Sequence, residues 1–436
     1  RTAALTMASP DPPKRPRKYP LGARLIKLAR KDVSISFGFA VASTQAGHNV
    51  IEEIKADGLA AGRLQRGDQI LEVNGRDVAE MEHPEVVAAI TASLTLDLVV
   101  WIRPRIVAVD WGTSSFRAWL LSARGRPLAF TRSDGGMSKM ARETAELTAA
   151  AYEEHLQAKV GAWIEAYPHL PVMVCGMAGA NKGWIEAPYA TCPVSVASVA
   201  PQLVPVPNSM EWKIHLIPGL TCTAEPTEVA PSERDVMRGE ETMILGLMTQ
   251  TRLTDGVICM PGTHSKWVVV KDGLVQSFRT FMTGEIFRLM SRNSILRHSV
   301  DGEGFADQDE AAKAGFLDGV RRGHAAPQEL THALFAVRTR SLDGESAGVL
   351  RGYLSGLLIG AELAGTEIPE TVHLVASGDT ADKYTAAIEA CGATVKRVPP
   401  EVACIGMLVL ADTLPKPEPE EDPEAPADAD ESCVVM

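Results

Sequence analysis

The sequence predicts an α/β fold of two similar lobes, preceded by a small β-rich domain and followed by an acidic tail. Three observations lead there. From Arg105 to about Leu414, buried strands alternate with helices, as in α/β architectures. Near Thr254-Asp255-Gly256 the scheme begins again, as expected for two similar halves around a cleft. Residues 21–104 instead hold short strands and tight turns, with one helical stretch.

Charge divides the chain in the same way. The 436 residues carry 43 Lys and Arg against 55 Asp and Glu, a net of -12. Residues 1–105 hold 15 against 12, residues 106–412 hold 27 against 35, and residues 413–436 hold 1 against 8. The balance argues against a general nucleic-acid binder, so no nucleic acid is expected as a partner. No window of 18 uncharged apolar residues occurs, so no membrane-spanning helix is expected. The seven cysteines show no C-x-x-C spacing and sit mostly among apolar or small residues. They read as buried, reduced thiols of a cytoplasmic protein.

Residues 1–20, rich in proline and basic residues, read as a disordered lead. In residues 21–104, strands are expected at Arg24–Ala29, Ser36–Ser43, Asn49–Ile54, Gln69–Val73 and Leu96–Ile102, with turns at 45–47, 67–68 and 74–75. A helix is expected over His83–Ser93, with Val86, Val87 and Ile90 on one side. Further on, strands are expected at Ile106–Val109 and Val172–Cys175 around one long helix, Arg142–Tyr167. After the restart come strands Val257–Met260, Trp267–Val270 and Val275–Phe281. Helices follow near 284–296, 308–320, 345–363 and 380–390, with a strand at Val372–Ala376. The lobes are set at 105–253 and 254–414, and 415–436 reads as disordered.

In the first domain, Ser36-Phe37-Gly38-Phe39 places glycine between aromatics just before a strand, where backbone N–H groups can form a nest for a carboxylate. It is followed by Gly67-Asp68-Gln69-Ile70-Leu71-Glu72-Val73-Asn74-Gly75. Together these resemble a PDZ domain. The resemblance implies a C-terminal peptide ligand, its carboxylate held by Phe37, Gly38 and Phe39, with Val87 and Ile90 lining the pocket. His83 would accept a hydrogen bond from a Ser or Thr two residues before the ligand's end.

In the larger part, Asp110-Trp111-Gly112-Thr113-Ser114 follows the first buried strand, and Pro261-Gly262-Thr263-His264-Ser265-Lys266 follows the first strand after the restart. A carboxylate at a strand end can hold the water shell of Mg2+, and Gly-Thr turns offer N–H groups to phosphate. Two such turns, one per lobe, resemble the duplicated actin/hexokinase/Hsp70 design, with RNase H-like lobes around a nucleotide. Further segments narrow the resemblance: Gly176-Met177-Ala178-Gly179, Gly183-Trp184-Ile185-Glu186, Arg238-Gly239-Glu240-Glu241 and Met282-Thr283-Gly284-Glu285. In this order, from about Ile106 to Leu410, they resemble the 2-dehydro-3-deoxygalactonokinase family.

That resemblance implies ATP and Mg2+, a small-molecule sugar acid as substrate, and phosphorylation of its terminal hydroxyl in galactonate catabolism. Asp110 would support the metal, with Gly112, Thr113, Ser114, Gly262, Thr263, His264 and Lys266 at the phosphates. Ser377 and Gly378 would contact adenosine. Gly135, Gly136, Met137, Met177, Asn181 and Trp184 would approach the sugar. Asp235, Glu240 and Glu241 are the base candidates, Glu240 first and Asp235 second, with Arg238 for the substrate carboxylate or a phosphate. The alternative is a PDZ-type scaffold whose kinase-like part is inactive. The chain ends Cys433-Val434-Val435-Met436, a C-a-a-X pattern. The acidic residues before it would keep any lipid-mediated membrane contact weak.

Overall fold

The computed structural model describes residues 19–20, 23–44, 48–78, 81–143, 147–223, 233–301 and 310–415. The lead before Tyr19, the expected turn at 45–47 and the tail with Cys433 lie outside them. Packing density groups residues 1–106, 119–131 and 159–170 into one unit, and 107–118, 132–158 and 171–436 into another. No helix of the described residues is long and apolar enough to cross a membrane.

The first 101 residues supply β1 (Arg24–Ala29), β2 (Phe39–Ser43), β3 (Asn49–Ile54), β4 (Gln69–Val73), β5 (Arg76–Asp77), α1 (His83–Thr91) and β6 (Thr95–Trp101). The sheet order is β1-β6-β4-β3-β2, with β5 on β4. β1 alternates as its sequence does: Ile26 and Leu28 are buried, while Leu25, Lys27 and Ala29 face out. Val86 and Ile90 of α1 join this core, and Val87 is half-buried beside it. A capping box starts α1, Glu82 and Glu85 each serving the other's backbone, with Pro84 in the first turn. The strand expected from Ser36 starts only at Phe39. Gly38 has φ +83° and donates its N–H to Ser36 Oγ, so the chain turns there. A Cβ on Gly38 would lie 2.5 Å from the Gly58 Cα, so only glycine fits.

The next sheet contains β7 (Pro104–Trp111), β8 (Phe116–Ser122), β9 (Pro127–Ser133), β10 (Val172–Gly176), β12 (Val204–Pro205) and β13 (Ile214–Leu216), in the order β12-β13-β10-β7-β8-β9. A separate small sheet joins β11 (Tyr189–Thr191), β14 (Gly219–Thr223) and β15 (Arg234–Met237). The single helix expected over 142–167 is two, α2 (Met137–Glu143) and α3 (Ala149–Ala166). Thr148 caps the second, its Oγ1 accepting from Ala151 N. A short helix, α4 (Val196–Val199), and α5 (Glu240–Thr251) complete this half.

The second half opens at the expected restart with β16 (Gly256–Met260), β17 (Ser265–Lys271) and β18 (Leu274–Phe281). Helices α6 (Thr283–Asn293), α7 (Arg297–Val300), α8 (Glu310–Ala325), α9 (Leu330–Leu342) and α10 (Ala347–Ala364) precede β19 (Thr371–Val375), α11 (Gly378–Ala390), β20 (Thr394–Val398) and α12 (Ala403–Ala411). The sheet order β18-β17-β16-β19-β20 is third, second, first, fourth, fifth. The run β9-β8-β7-β10-β13 of the earlier sheet has the same form, with β12 added outside. In both, the central strand pairs in parallel with the fourth.

Two helix pairs are drawn together by glycines. Gly315, Gly319 and Gly323 of α8 face the backbone of α10, and Gly352, Gly356 and Gly360 of α10 face that of α8; a Cβ on Gly356 would lie 2.0 Å from the Phe316 carbonyl oxygen. Gly246 of α5 and Gly406 of α12 meet as closely.

Candidate active site

The ends of β7 and β10 form the first wall. Their register sets Asp110 beside Cys175 and Trp111 beside Gly176. Asp110 is ion-paired with Arg117 of β8, a partner that sequence reasoning did not single out. After Trp111 the chain turns, and Gly112 N–H donates to the Ser115 carbonyl at 2.9 Å. The start of α2 holds this turn from behind: Met137 N–H donates to Gly112 O at 3.1 Å and Ser138 N–H to Thr113 O at 2.9 Å.

The second turn, at Gly262-Thr263-His264, is held alike. Glu285 N–H donates to Thr263 O at 2.9 Å. A Cβ on Gly284 would lie 2.2 Å from Gly262 O, as one on Gly136 would lie 2.4 Å from the Ser114 carbonyl carbon. Gly136 thus backs the first turn. Gly135 is also walled in, since a Cβ there would meet the His155 ring at 2.3 Å. His264 is exposed, and its Nε2 lies 2.7 Å from Glu285 Oε2, which fastens the ring to α6.

Lys266 and Glu240 join the two walls. Lys266 is 4% exposed; its Nζ donates to His264 O at 3.0 Å and lies 3.1 Å from Glu240 Oε1. Glu240 opens α5 after Gly239, whose φ is +107° and whose backbone packs on Gly176. The Glu240 carboxylate is therefore tied to the second turn through Lys266, while the preceding Gly239 lies near Gly176 at the end of β10.

The other acids do different work. Asp235 accepts from Thr280 N at 2.7 Å and from Thr280 Oγ1 at 2.8 Å, so it fastens β15 to β18. Both of its oxygens are thus engaged. Glu241 is 0% exposed, with Oε2 accepting from Gly239 N at 2.6 Å and Oε1 without a hydrogen-bond partner among the described residues. Burial, reinforced by neighbouring Glu240, pushes its pKa up to about 8. The unfolded chain loses this proton near the ordinary value of 4.5 while the folded chain keeps it to about 8, so rising pH favours unfolding across that interval. The Glu241→Gln variant is expected to gain thermal midpoint over wild type from pH 5 to pH 8. The cost it removes grows by at most about 1.4 kcal/mol per pH unit. Thermal scans of both proteins at the two pH values check this; an unchanged difference contradicts it.

Arg238 donates from Nη2 to Ala187 O at 2.8 Å and lies 4.4 Å over the Tyr189 ring. Its Nε and Nη1 are buried without hydrogen-bond partners among the described residues. Met177 is half-buried in the turn after β10, Asn181 is exposed, and Met137 is buried at the start of α2. Trp184 is largely buried among aromatics. It is 8% exposed and stacks on Tyr152 with centroids 5.5 Å apart and planes at 5°, with Trp111 edge-on to both.

A cavity of about 450 Å³ opens beside the second turn, lined by Gly262, Thr283, Gly284, Arg351, Asp379 and Lys383 among others. Ser377 and Gly378 are exposed next to it, and the following residues of α11 form the wall in their place. Tyr384 also lines it, and donates to buried Glu362 at 2.8 Å, as Trp267 Nε1 does. Neither Arg351 nor Glu362 carried a sequence signal beyond its helical position.

In the first domain, Phe37 is 4% exposed and Phe39 half-buried, their rings 6.4 Å apart. β2 ends the sheet, and α1 packs beside it. His83 Nδ1 lies 2.6 Å from Asn49 Oδ1. The strand edge, the glycine turn and the helix lie at one side of this domain.

Comparison with known proteins gives two family matches: 2-keto-3-deoxy-galactonokinase over residues 110–410, and PDZ domain over residues 25–101. The chain is 41% identical over 296 residues to the protein described as 2-dehydro-3-deoxygalactonokinase DgoK1 of Rhizobium meliloti (strain 1021), covering 67% of this chain and 91% of that one. It is 34% identical over 310 residues to 2-dehydro-3-deoxygalactonokinase of Escherichia coli (strain K12), covering 69% and 94%. A crystal structure of a protein described as a 2-dehydro-3-deoxygalactonokinase from Sinorhizobium meliloti superimposes with a TM-score of 0.62 at 38% identity, over 72% of this chain and 99% of that one.

Proposed function

This chain belongs to the 2-keto-3-deoxy-galactonokinase family, and from that premise we propose that it transfers the terminal phosphoryl group of ATP to the terminal hydroxyl of 2-keto-3-deoxygalactonate. The observation that carries this reading is the Glu240–Lys266 pair, whose buried lysine also donates to the His264 carbonyl of the second Gly-Thr turn. Glu240 accepts the hydroxyl proton as the substrate oxygen attacks phosphorus. Lys266, with the N–H groups of the two turns, offsets charge on the transferred group. Arg238 offers its guanidinium charge to the substrate carboxylate.

The nucleotide fits the residues present. A Cβ on Gly262 would meet nothing closer than 4.0 Å, so that backbone is open toward the cavity. Among the described residues no cluster of three acidic, His or Cys side chains could hold a metal by itself. Mg2+ held chiefly by phosphates and water needs only one carboxylate nearby, and Asp110 is that group. When bound, Mg2+ neutralises charge on the phosphates.

The matching strand orders and the matching backing of the two turns support a duplicated, RNase H-like pair of lobes at 105–253 and 254–414. In front of them, residues 25–101 match the PDZ domain family, and for this domain we propose a C-terminal peptide as ligand. The scaffold reading makes a different prediction for catalysis. With the full chain, ATP and Mg2+, an assay coupled to ADP formation is expected to give turnover that depends on 2-keto-3-deoxygalactonate. A rate equal to the no-substrate blank would leave the scaffold reading standing instead.

A further inference from the structure

Asn49 occupies a position that the sheet pattern assigns to the core. It starts β3, pairs with Ser43 of β2, and shares a face with Ile51, which is 0% exposed. Asn49 itself is 3% exposed. A buried amide in an apolar core is unfavourable unless its polar atoms are bonded. Its Oδ1 lies 2.6 Å from Nδ1 of His83, the half-exposed first residue of α1.

A carbonyl oxygen only accepts, so the ring proton sits on Nδ1. In the neutral ring, Nε2 is then left with a lone pair, and it can receive a hydrogen bond but not give one. An amide turned the other way round would donate to Nδ1, and Nε2–H would become a donor suited to a carboxylate. The orientation of one buried amide therefore decides what His83 can recognise.

We propose that Asn49 is a positioning residue of the groove: by holding the Nδ1–H tautomer of His83, it makes the groove select peptides with a hydroxyl at the third residue from the C-terminus. This rests on the peptide-binding reading of residues 21–104.

The test uses the full chain and two fluorescein-labelled octapeptides with a free C-terminal valine, identical except for Thr or Val third from the end. Fluorescence anisotropy is expected to show a preference of about tenfold for the Thr peptide, the size of one hydrogen bond. In Asn49→Leu the preference is expected to fall to about twofold or less, while the Val peptide binds as before. An unchanged preference in the variant would overturn the role of Asn49 and leave peptide binding intact. Binding of neither peptide to wild type would overturn the groove reading and the inference with it. Long-range nitrogen NMR of ¹⁵N-histidine-labelled wild type reads the tautomer even if the variant does not fold. A protonated Nδ1 and bare Nε2 at His83 support the proposal, and a protonated Nε2 with bare Nδ1 overturns it.

Discussion

Glu240→Gln is expected to lower kcat at least 100-fold, within the 10²–10⁴ range typical of a lost general base. The KM for ATP should change little if ATP binds in the cavity beside the second turn, which is lined by other residues. Glutamine keeps the volume and a carbonyl oxygen 3.1 Å from Lys266, so the fold should survive. What it removes is the capacity to take the hydroxyl proton. Steady-state kinetics with the sugar acid, alongside a thermal scan, separate the two effects. A loss below about tenfold in a folded variant means that another group is the base. Asp235→Asn is the useful contrast: its oxygens bind Thr280, so it should lower the thermal midpoint more than the chemical step.

Gly356→Val carries the largest expected effect on stability. The first carbon of any side chain there would lie 2.0 Å from the carbonyl oxygen of Phe316 and 2.8 Å from Val320 N. Those atoms are helix backbone and cannot rotate away, so α8 and α10 must move apart. Overpacking a dense core costs about 1–3 kcal/mol and more where backbone has to shift. Because Tyr353, Leu354 and Leu357 on the same helix build one apolar cluster and Ile359 and Leu363 another, separation would loosen both. The expected result is a thermal midpoint several degrees lower, or aggregated protein. Gly344→Val is the control. That glycine has open space around it but φ +93°, so its cost is only local backbone strain. Equal losses for the two variants would show that helix contact is not the cause.

Much of this was legible in the residues. Continuous apolar runs such as Val257–Met260, and alternation such as Arg24–Ala29, produced strands within a residue or two of their expected ends. The Gly-Thr turns were visible because each follows such a strand. Partnerships between distant positions were not. Nothing in the sequence ties Lys266 to Glu240, Asp235 to Thr280, or Tyr152 to Trp184, because these meet only after the sheets and helices pack. The break between α2 and α3 was missed because a threonine cap inside a helical pattern is a weak signal. α9 is the other helix absent from the expected elements, although Leu330, Ala333, Leu334 and Val337 pack on one apolar cluster at helical spacing.

The catalytic reading makes one chemical statement above all: a phosphoryl group moves from ATP to the terminal oxygen of the sugar acid. Phosphorus NMR of the reaction of the full chain with ATP, Mg2+ and 2-keto-3-deoxygalactonate tests it directly. The account predicts ADP and a sugar phosphomonoester in equal amounts, with the phosphorus coupled to the two protons of the terminal carbon. ADP accompanied only by inorganic phosphate, or phosphate on any other carbon, would contradict it.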